Sequence, residues 1–238
     1  MKIRPVVAIS AARGQVDHGK LTTSAHWVSS EIVAAVSDHG GSPYVLPVSA
    51  SSTAVAAAAA RADALVLTGG HDVSTIGMPP RCGNSDMTRD ASDLMLLRIA
   101  RSRQVPVLGI CRGMQLLVAS ANGRLHPVER HGTGSITSTH RHWVIPVTGS
   151  RLASIVGDEP FSTNSLHQYA VADAGSHEPG AYAEDGVVEA VEHPMRWEMG
   201  VQWHPELDFG VASQRLWRAL VEAASDYSQP LREEVPAR

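Results

Sequence analysis

The chain has 238 residues, 43% of them hydrophobic, with a formal net charge of −4 and two cysteines. That is enough apolar material for one α/β core, and no linker-like run divides it, so a single domain over residues 1–238 is expected. Two cysteines exclude a disulfide framework and fit a reducing, cytoplasmic setting; scattered Lys and Arg leave no nucleic-acid footprint, and no run approaches the roughly 18 apolar residues of a membrane span.

The stretch before Ser10 has too few apolar residues for a signal peptide, and Val6 to Ile9 reads as the first strand. Trp27, Ile32, Val33 and Val36 recur at helical spacing and predict a helix from Ala25 to His39, stopped by Gly40-Gly41. Tyr44 to Val48 is a second strand, the alanine run Ala54 to Ala62 a plain packing helix, and Leu65 to Thr68 a third strand. Asp90 is expected as the N-cap of the next helix, with Asp93 at its third position and Leu94, Leu97, Ile99 and Ala100 on its buried side. Val105 to Ile110 reads as a short strand buried on both faces, followed by a helix from Gly113 to a stop at Asn122-Gly123. Between 124 and 200 the pattern shortens: Trp143 to Val147, Gln168 to Ala172 and Val187 to Val191 suggest an antiparallel excursion with Gly- and Ser-rich turns. The polar tail from Ser225, which holds Pro230 and Pro236, is expected to be irregular. The alternation predicts a doubly wound, mostly parallel α/β sheet with ligands at the carboxyl ends of its strands.

At one such end lies Cys111, on the tight connection between the strand ending at Ile110 and the following helix. The first N–H groups of a helix and its dipole favour a thiolate over a thiol, and Gly109 and Gly113 suit a strained turn with close helix–sheet approach. A second apolar strand, Val201-Gln-Trp-His204-Pro-Glu206, ends in a histidine with a carboxylate two residues on. In extended chain, residues two apart point the same way, so Glu206 can hold the tautomer of His204. A cysteine nucleophile needs such a base and such an orienting group.

Gly109-Ile-Cys-Arg-Gly-Met-Gln115, with the distant Gly200-Val-Gln-Trp-His-Pro-Glu206, resembles the class I glutamine amidotransferase superfamily, and within it the gamma-glutamyl-gamma-aminobutyrate hydrolase branch. Ala64-Leu-Val-Leu-Thr-Gly-Gly-His-Asp72 resembles the family's oxyanion strand and loop, Thr88-Arg-Asp90 precedes a long helix, and Asn164-Ser-Leu-His-Gln168 resembles its substrate loop. The resemblance covers about Pro5 to Phe209 and implies a flavodoxin-like fold. It implies Cys111 as nucleophile, His204 as base and then acid, and Glu206 as orienting partner. It places the oxyanion hole on the backbone N–H groups of Gly70 and Arg112, so that the side chain at 112 should matter little. It assigns Gln115, His167 and Gln168 to the substrate, and requires no cofactor.

The chain departs from the family pattern in single-histidine Leu166-His167-Gln168, in the loop after Gly70 (His71-Asp72-Val73-Ser74-Thr75), in Asn122-Gly-Arg-Leu125, and in Val128 with Glu129 one residue late. These departures leave the amine half of a gamma-glutamyl substrate open. Cys82, in a polar loop, reads as a spacer. His126, His131, His140 and His142 crowd one region, but their spacing matches no zinc pattern, so no metal is expected. The leading expectation is hydrolysis of a gamma-glutamyl-amine through a glutamyl thioester. Two alternatives remain: a glutaminase subunit passing ammonia to a separate synthetase partner, and a non-catalytic regulatory relative, which the intact Cys111, His204 and Glu206 disfavour. A homodimer is compatible with the sequence.

Overall fold

The computed structural model describes residues 4–17, 19–49, 51–70, 73, 86–128, 131 and 141–233. In chain order its elements are β1 (Val6–Ser10), β2 (Ala12–Asp17), β3 (Thr22–Trp27), α1 (Ser30–Asp38), β4 (Ser42–Leu46), α2 (Ser52–Ala59), β5 (Ala64–Leu67), α3 (Met87–Arg103), β6 (Val107–Ile110) and α4 (Arg112–Ser120). They continue with β7 (Arg124–Pro127), β8 (Arg141–Pro146), α5 (Arg151–Val156), β9 (Phe161–Asn164), β10 (Tyr169–Asp173), β11 (Glu178–Ala183), β12 (Val188–Glu192), β13 (Glu198–Val201), a 3₁₀ turn (Pro205–Leu207) and α6 (Val211–Glu233).

A nine-stranded sheet runs in the order β4-β1-β5-β6-β13-β12-β11-β8-β9. From β4 to β13 the pairings are parallel; beyond β13 they turn antiparallel, so the excursion between 124 and 200 extends the same sheet. β10 pairs with β7, and β2 with β3, in separate two-stranded ribbons. Helices cover both faces of the parallel half, as the doubly wound reading requires. Along β5, Ala64 and Val66 face a core shared with Leu216, Trp217 and Leu220 of α6, whereas Leu65 and Leu67 face one shared with Leu96 and Leu97 of α3 and Leu116 and Leu117 of α4. The strict alternation of faces explains why these strands are apolar at every position: each side chain meets a helix layer.

Three elements differ from the sequence expectation. The helix expected from Ala25 begins at Ser30, where the Ser29 hydroxyl accepts from Ile32 N–H at 3.4 Å, and Thr22–Trp27 forms a hairpin with Ala12–Asp17 instead. Trp27 mimics a helical period but is half exposed on that hairpin. The cap of α3 is Asp86, which accepts from the N–H groups of Thr88 and Arg89 at 3.1 and 3.0 Å; Asp90 is buried in the first turn for another purpose. The tail from Ser225 is helical as far as Glu233, because Trp217, Leu220, Val221, Ala224 and Ser228 recur at helical spacing and are buried.

Candidate active site

β5, β6 and β13 are adjacent and parallel, with Leu67 level with Gly109 and Val201 level with Ile110. Their carboxyl ends therefore deliver Thr68–Gly70, Cys111 and His204 to one edge of the sheet. Cys111 has φ 49° and ψ −100°, a backbone state that a residue with a side chain rarely adopts. Such a conformation costs on the order of 1–3 kcal/mol and persists where its surroundings over-determine it. Two hydrogen bonds do so: the Cys111 N–H donates to the Val201 carbonyl at 2.8 Å, and the Cys111 carbonyl accepts from Gln115 N–H at 3.1 Å. The start of α4 lies so close to β5 that a side chain at Gly113 would collide with the Leu67 carbonyl. Cys111 itself is buried and free of any disulfide, and Cys82 lies outside the described residues.

His204 is held at three points. Its Nδ1 lies 2.8 Å from Glu206 Oε1, its backbone N–H donates to Asn164 Oδ1 at 2.9 Å, and its carbonyl accepts from Asn164 Nδ2 at 2.8 Å. The chain does not reach Glu206 as an extended strand: β13 ends at Val201, and the 3₁₀ turn after His204 brings the carboxylate back beneath the ring. A Cβ at Gly69 would stand 2.7 Å from His204 Cε1, so a glycine is needed for the ring to lie there. Burial disfavours a charged imidazole. The charge of Cys111, its hydrogen bond to the ring and the Glu206 carboxylate outweigh it, leaving the His204 pKa well above 6.5.

The two backbone positions expected to form an oxyanion hole share a mount that the sequence does not reveal. Arg112 is wholly buried; its guanidinium pairs with Asp93 at 2.6 Å and with Asp90, both in the first turns of α3. Arg89, on the same helix, lies 3.6 Å from Asp93 and donates through one nitrogen to Thr68 Oγ1 and the Gly69 carbonyl, both at 2.8 Å. Burial, with the neighbouring Arg112 charge, draws the Arg89 pKa down to about 10, so it remains a cation. The expectation that the residue type at 112 matters little is therefore corrected: its backbone N–H heads α4, and its side chain ties that helix to α3. Gly70 has φ +147°, and a Cβ there would collide with the Arg89 guanidinium.

Of the residues assigned to the substrate, Gln115 is buried one turn into α4, and its Oε1 has no hydrogen-bond partner among the described residues. Gln168 is partly exposed, and its carbonyl accepts from Val128 N–H. His167 is buried with Nδ1 on the Tyr169 carbonyl and Nε2 toward Glu189, which places it in a second cluster with His131 and His142. His126 is exposed on β7, and His71, Asp72 and His140 lie outside the described residues. Sequence reasoning missed Asn164 as the clamp on His204, Arg89 and its aspartates, and Glu189. The signals present were a strand-end asparagine and a run of alternating charges, Arg89-Asp90-Ala-Ser-Asp93, too polar for an ordinary core helix.

Among the described residues no helix is long and apolar enough to cross a membrane. Residues 5–206 match the model of the Peptidase C26 family. A Mycobacterium tuberculosis protein named provisionally as a glutamine amidotransferase is 34% identical over 241 residues, covering 94% of this chain and 76% of the relative. The gamma-glutamyl-gamma-aminobutyrate hydrolase of Escherichia coli O157:H7 is 33% identical over 146 residues, 52% of this chain and 54% of that protein. A crystal structure from Thermoplasma acidophilum, described provisionally as that of a GMP synthase subunit, superposes with a TM-score of 0.69 at 14% identity, covering 97% of this chain and 98% of that one.

Proposed function

The chain belongs to the peptidase C26 family, and from that premise we propose that it hydrolyses the gamma-glutamyl amide bond of a small gamma-glutamyl-amine, with Cys111 as nucleophile. The Cys111 sulfur attacks the side-chain amide carbon, and the resulting oxyanion is met by the N–H groups of Gly70 and Arg112. His204 gives its proton to the departing nitrogen as the C–N bond breaks, leaving a glutamyl thioester. Water then attacks the thioester carbon while His204 takes its proton, the C–S bond breaks, and glutamate leaves with the thiolate restored. Gln115 offers its buried Oε1, without a hydrogen-bond partner among the described residues, to the ammonium group of the glutamyl moiety.

The observation that carries this reading is the placement of the His204 ring between the Cys111 sulfur, whose charge raises its pKa, and Glu206 Oε1 at 2.8 Å. The similarity to a gamma-glutamyl-gamma-aminobutyrate hydrolase supports the substrate class. The departures from the family pattern at His71 to Thr75 and Leu166 to Gln168 leave the amine to experiment.

The test is glutamate release by purified protein from free glutamine and from a panel of gamma-glutamyl-amines that spans aminobutyrate, polyamine and aromatic leaving groups. Cys111→Ala is run in parallel. Release from one gamma-glutamyl-amine, lost in Cys111→Ala, is expected. Release retained by Cys111→Ala rejects the cysteine mechanism, and silence on every gamma-glutamyl-amine rejects the substrate class.

A further inference from the structure

Away from Cys111, three imidazoles converge on one carboxylate. Glu189 of β12 is fully buried, and neither of its oxygens has a hydrogen-bond partner among the described residues. His131 Nδ1 lies 3.5 Å from Oε1, His142 Nε2 3.5 Å from Oε2, and His167 Nε2 3.3 Å from Oε1. These separations exceed the about 2.7–3.2 Å of ordinary N–H···O bonds. They lie near the about 3.3–3.4 Å that zinc–ligand bonds of about 2.0–2.1 Å put between neighbouring ligand atoms, and they involve both oxygens of the carboxylate.

Proton accounting leads to the same place. His131 Nε2 lies 3.0 Å from Asp185 Oδ2, and His167 Nδ1 lies 3.0 Å from the Tyr169 carbonyl. A carboxylate and a carbonyl only accept, so each of these contacts takes a ring hydrogen. His131 Nδ1 and His167 Nε2 are the ring nitrogens that face Glu189. The Ser165 hydroxyl, which donates to the His131 carbonyl at 3.0 Å, lies 3.3 Å from His131 Nδ1. Both ring nitrogens of His142 are buried without a hydrogen bond among the described residues. A buried carboxylate ringed by imidazole nitrogens without close hydrogen bonds is a donor set that a cation in its midst would satisfy.

The surroundings are those of a metal centre. Ligand atoms of His131, His142 and Glu189 all lie within 4.8 Å of one another. Asp185 on His131 is an outer partner of the kind that fixes the tautomer of a ligating histidine. A cleft of about 430 Å³, lined by His131, His142, Trp143 and Asp185, reaches the cluster from solvent and gives an ion a path in. We propose that His131, His142 and Glu189 bind one divalent transition-metal ion of the zinc class, at a site separate from Cys111, His204 and Glu206. The ligands come from three separate segments, which is why no compact spacing marks them in the sequence. The ion would pin Glu189, against which His167 lies, three residues on from the Asn164 that grips His204.

The full-length protein, stripped with a chelator, is titrated with Zn²⁺ against a chromophoric competitor and with Co²⁺ by absorption. One ion per chain is expected, with the visible bands of four-coordinate cobalt and no intense near-ultraviolet thiolate band. His142→Ala and Glu189→Gln should weaken zinc binding at least about tenfold, and Cys111→Ala should leave it unchanged. Should a cluster variant fail to fold, the wild-type stoichiometry and cobalt spectrum decide alone, because a thiolate band would place the ion on a cysteine and away from this cluster. Failure of the wild type to take up zinc at micromolar concentration overturns the site, as does binding that survives both folded cluster variants.

Discussion

Asn164 holds the backbone of His204 from both sides, donating to its carbonyl at 2.8 Å and accepting from its N–H at 2.9 Å. The aim of the imidazole is therefore set across the chain, by the end of β9, as well as by β13. Removing the side chain leaves two polar backbone groups without these partners, at a cost of about 1–3 kcal/mol. Asn164→Ala should lower kcat for the gamma-glutamyl-amine with little change in KM, and Asn164→Asp, which keeps an acceptor but loses the donor, should fall between it and wild type. Steady-state kinetics of the two variants check this; a rise in KM at constant kcat would place Asn164 on the substrate instead.

Glu206 raises the His204 pKa, so Glu206→Gln should lower it. The sign follows from the direction of the shift. A folded-state pKa above 6.5 means that the charged ring contributes stability in full below about pH 6.5, and that this is lost as pH rises through the folded value. Since the imidazolium is the acid that protonates the leaving amine, kcat/KM in Glu206→Gln should lose its alkaline limb at lower pH than wild type. Ring-proton NMR titration of His204 in both proteins reads the same shift directly.

Arg112→Met leaves Asp90 and Asp93 buried together without the cation that joins them. Breaking a buried pair from one side costs about 3–5 kcal/mol, so the urea midpoint should drop sharply. Asp90→Asn in the Arg112→Met background should recover part of that loss, since Asp93 still faces Arg89 at 3.6 Å. If instead Arg112→Met were as stable as wild type, the side chain would be as dispensable as its backbone role alone suggests.

Glu198, buried at the start of β13, accepts from Arg101 at 2.7 and 2.9 Å and pairs with His177 at 2.7 Å. Burial alone would raise its pKa, but the hydrogen bonds from His177 and Arg101 and their charges prevail and hold it at about 2. With a carboxylate depressed in this way, the stabilisation is present above about pH 4.5 and is lost as pH falls toward 2. The difference corresponds to about 3 kcal/mol. Glu198→Gln should therefore be less stable than wild type at neutral pH and lose less of its stability on acidification, as measured by urea melts between pH 7 and pH 3.

The parallel half of the fold is legible in the sequence because Ala64–Leu67 and Val107–Ile110 are apolar at every position, a pattern that only a strand covered on both faces needs. Turn glycines then mark where the chain leaves the sheet, which is how Cys111 and Gly70 can be placed at strand ends. The hairpin Ala12–Trp27 is not legible, since its residues alternate weakly and Trp27 falls by chance into the period of the following helix. The far end of α6 is hidden by its polar exposed face, although Leu220, Val221 and Ala224 carry the signal. The ion pairs of Arg112, the hydrogen bonds of Arg89 to Thr68 and Gly69, and the convergence on Glu189 join residues distant in sequence. Charge pairing across 19 or more positions leaves no periodic trace.

Arg89 reaches back from the first turn of α3 to the carbonyl of Gly69, while Asp86 caps that turn. The two ends of the intervening stretch, His71 to Ser85, are thus stapled to each other by a side chain that does not belong to it. The strand end beside Cys111 is therefore fastened directly to α3, by a bond that spans 20 positions of sequence.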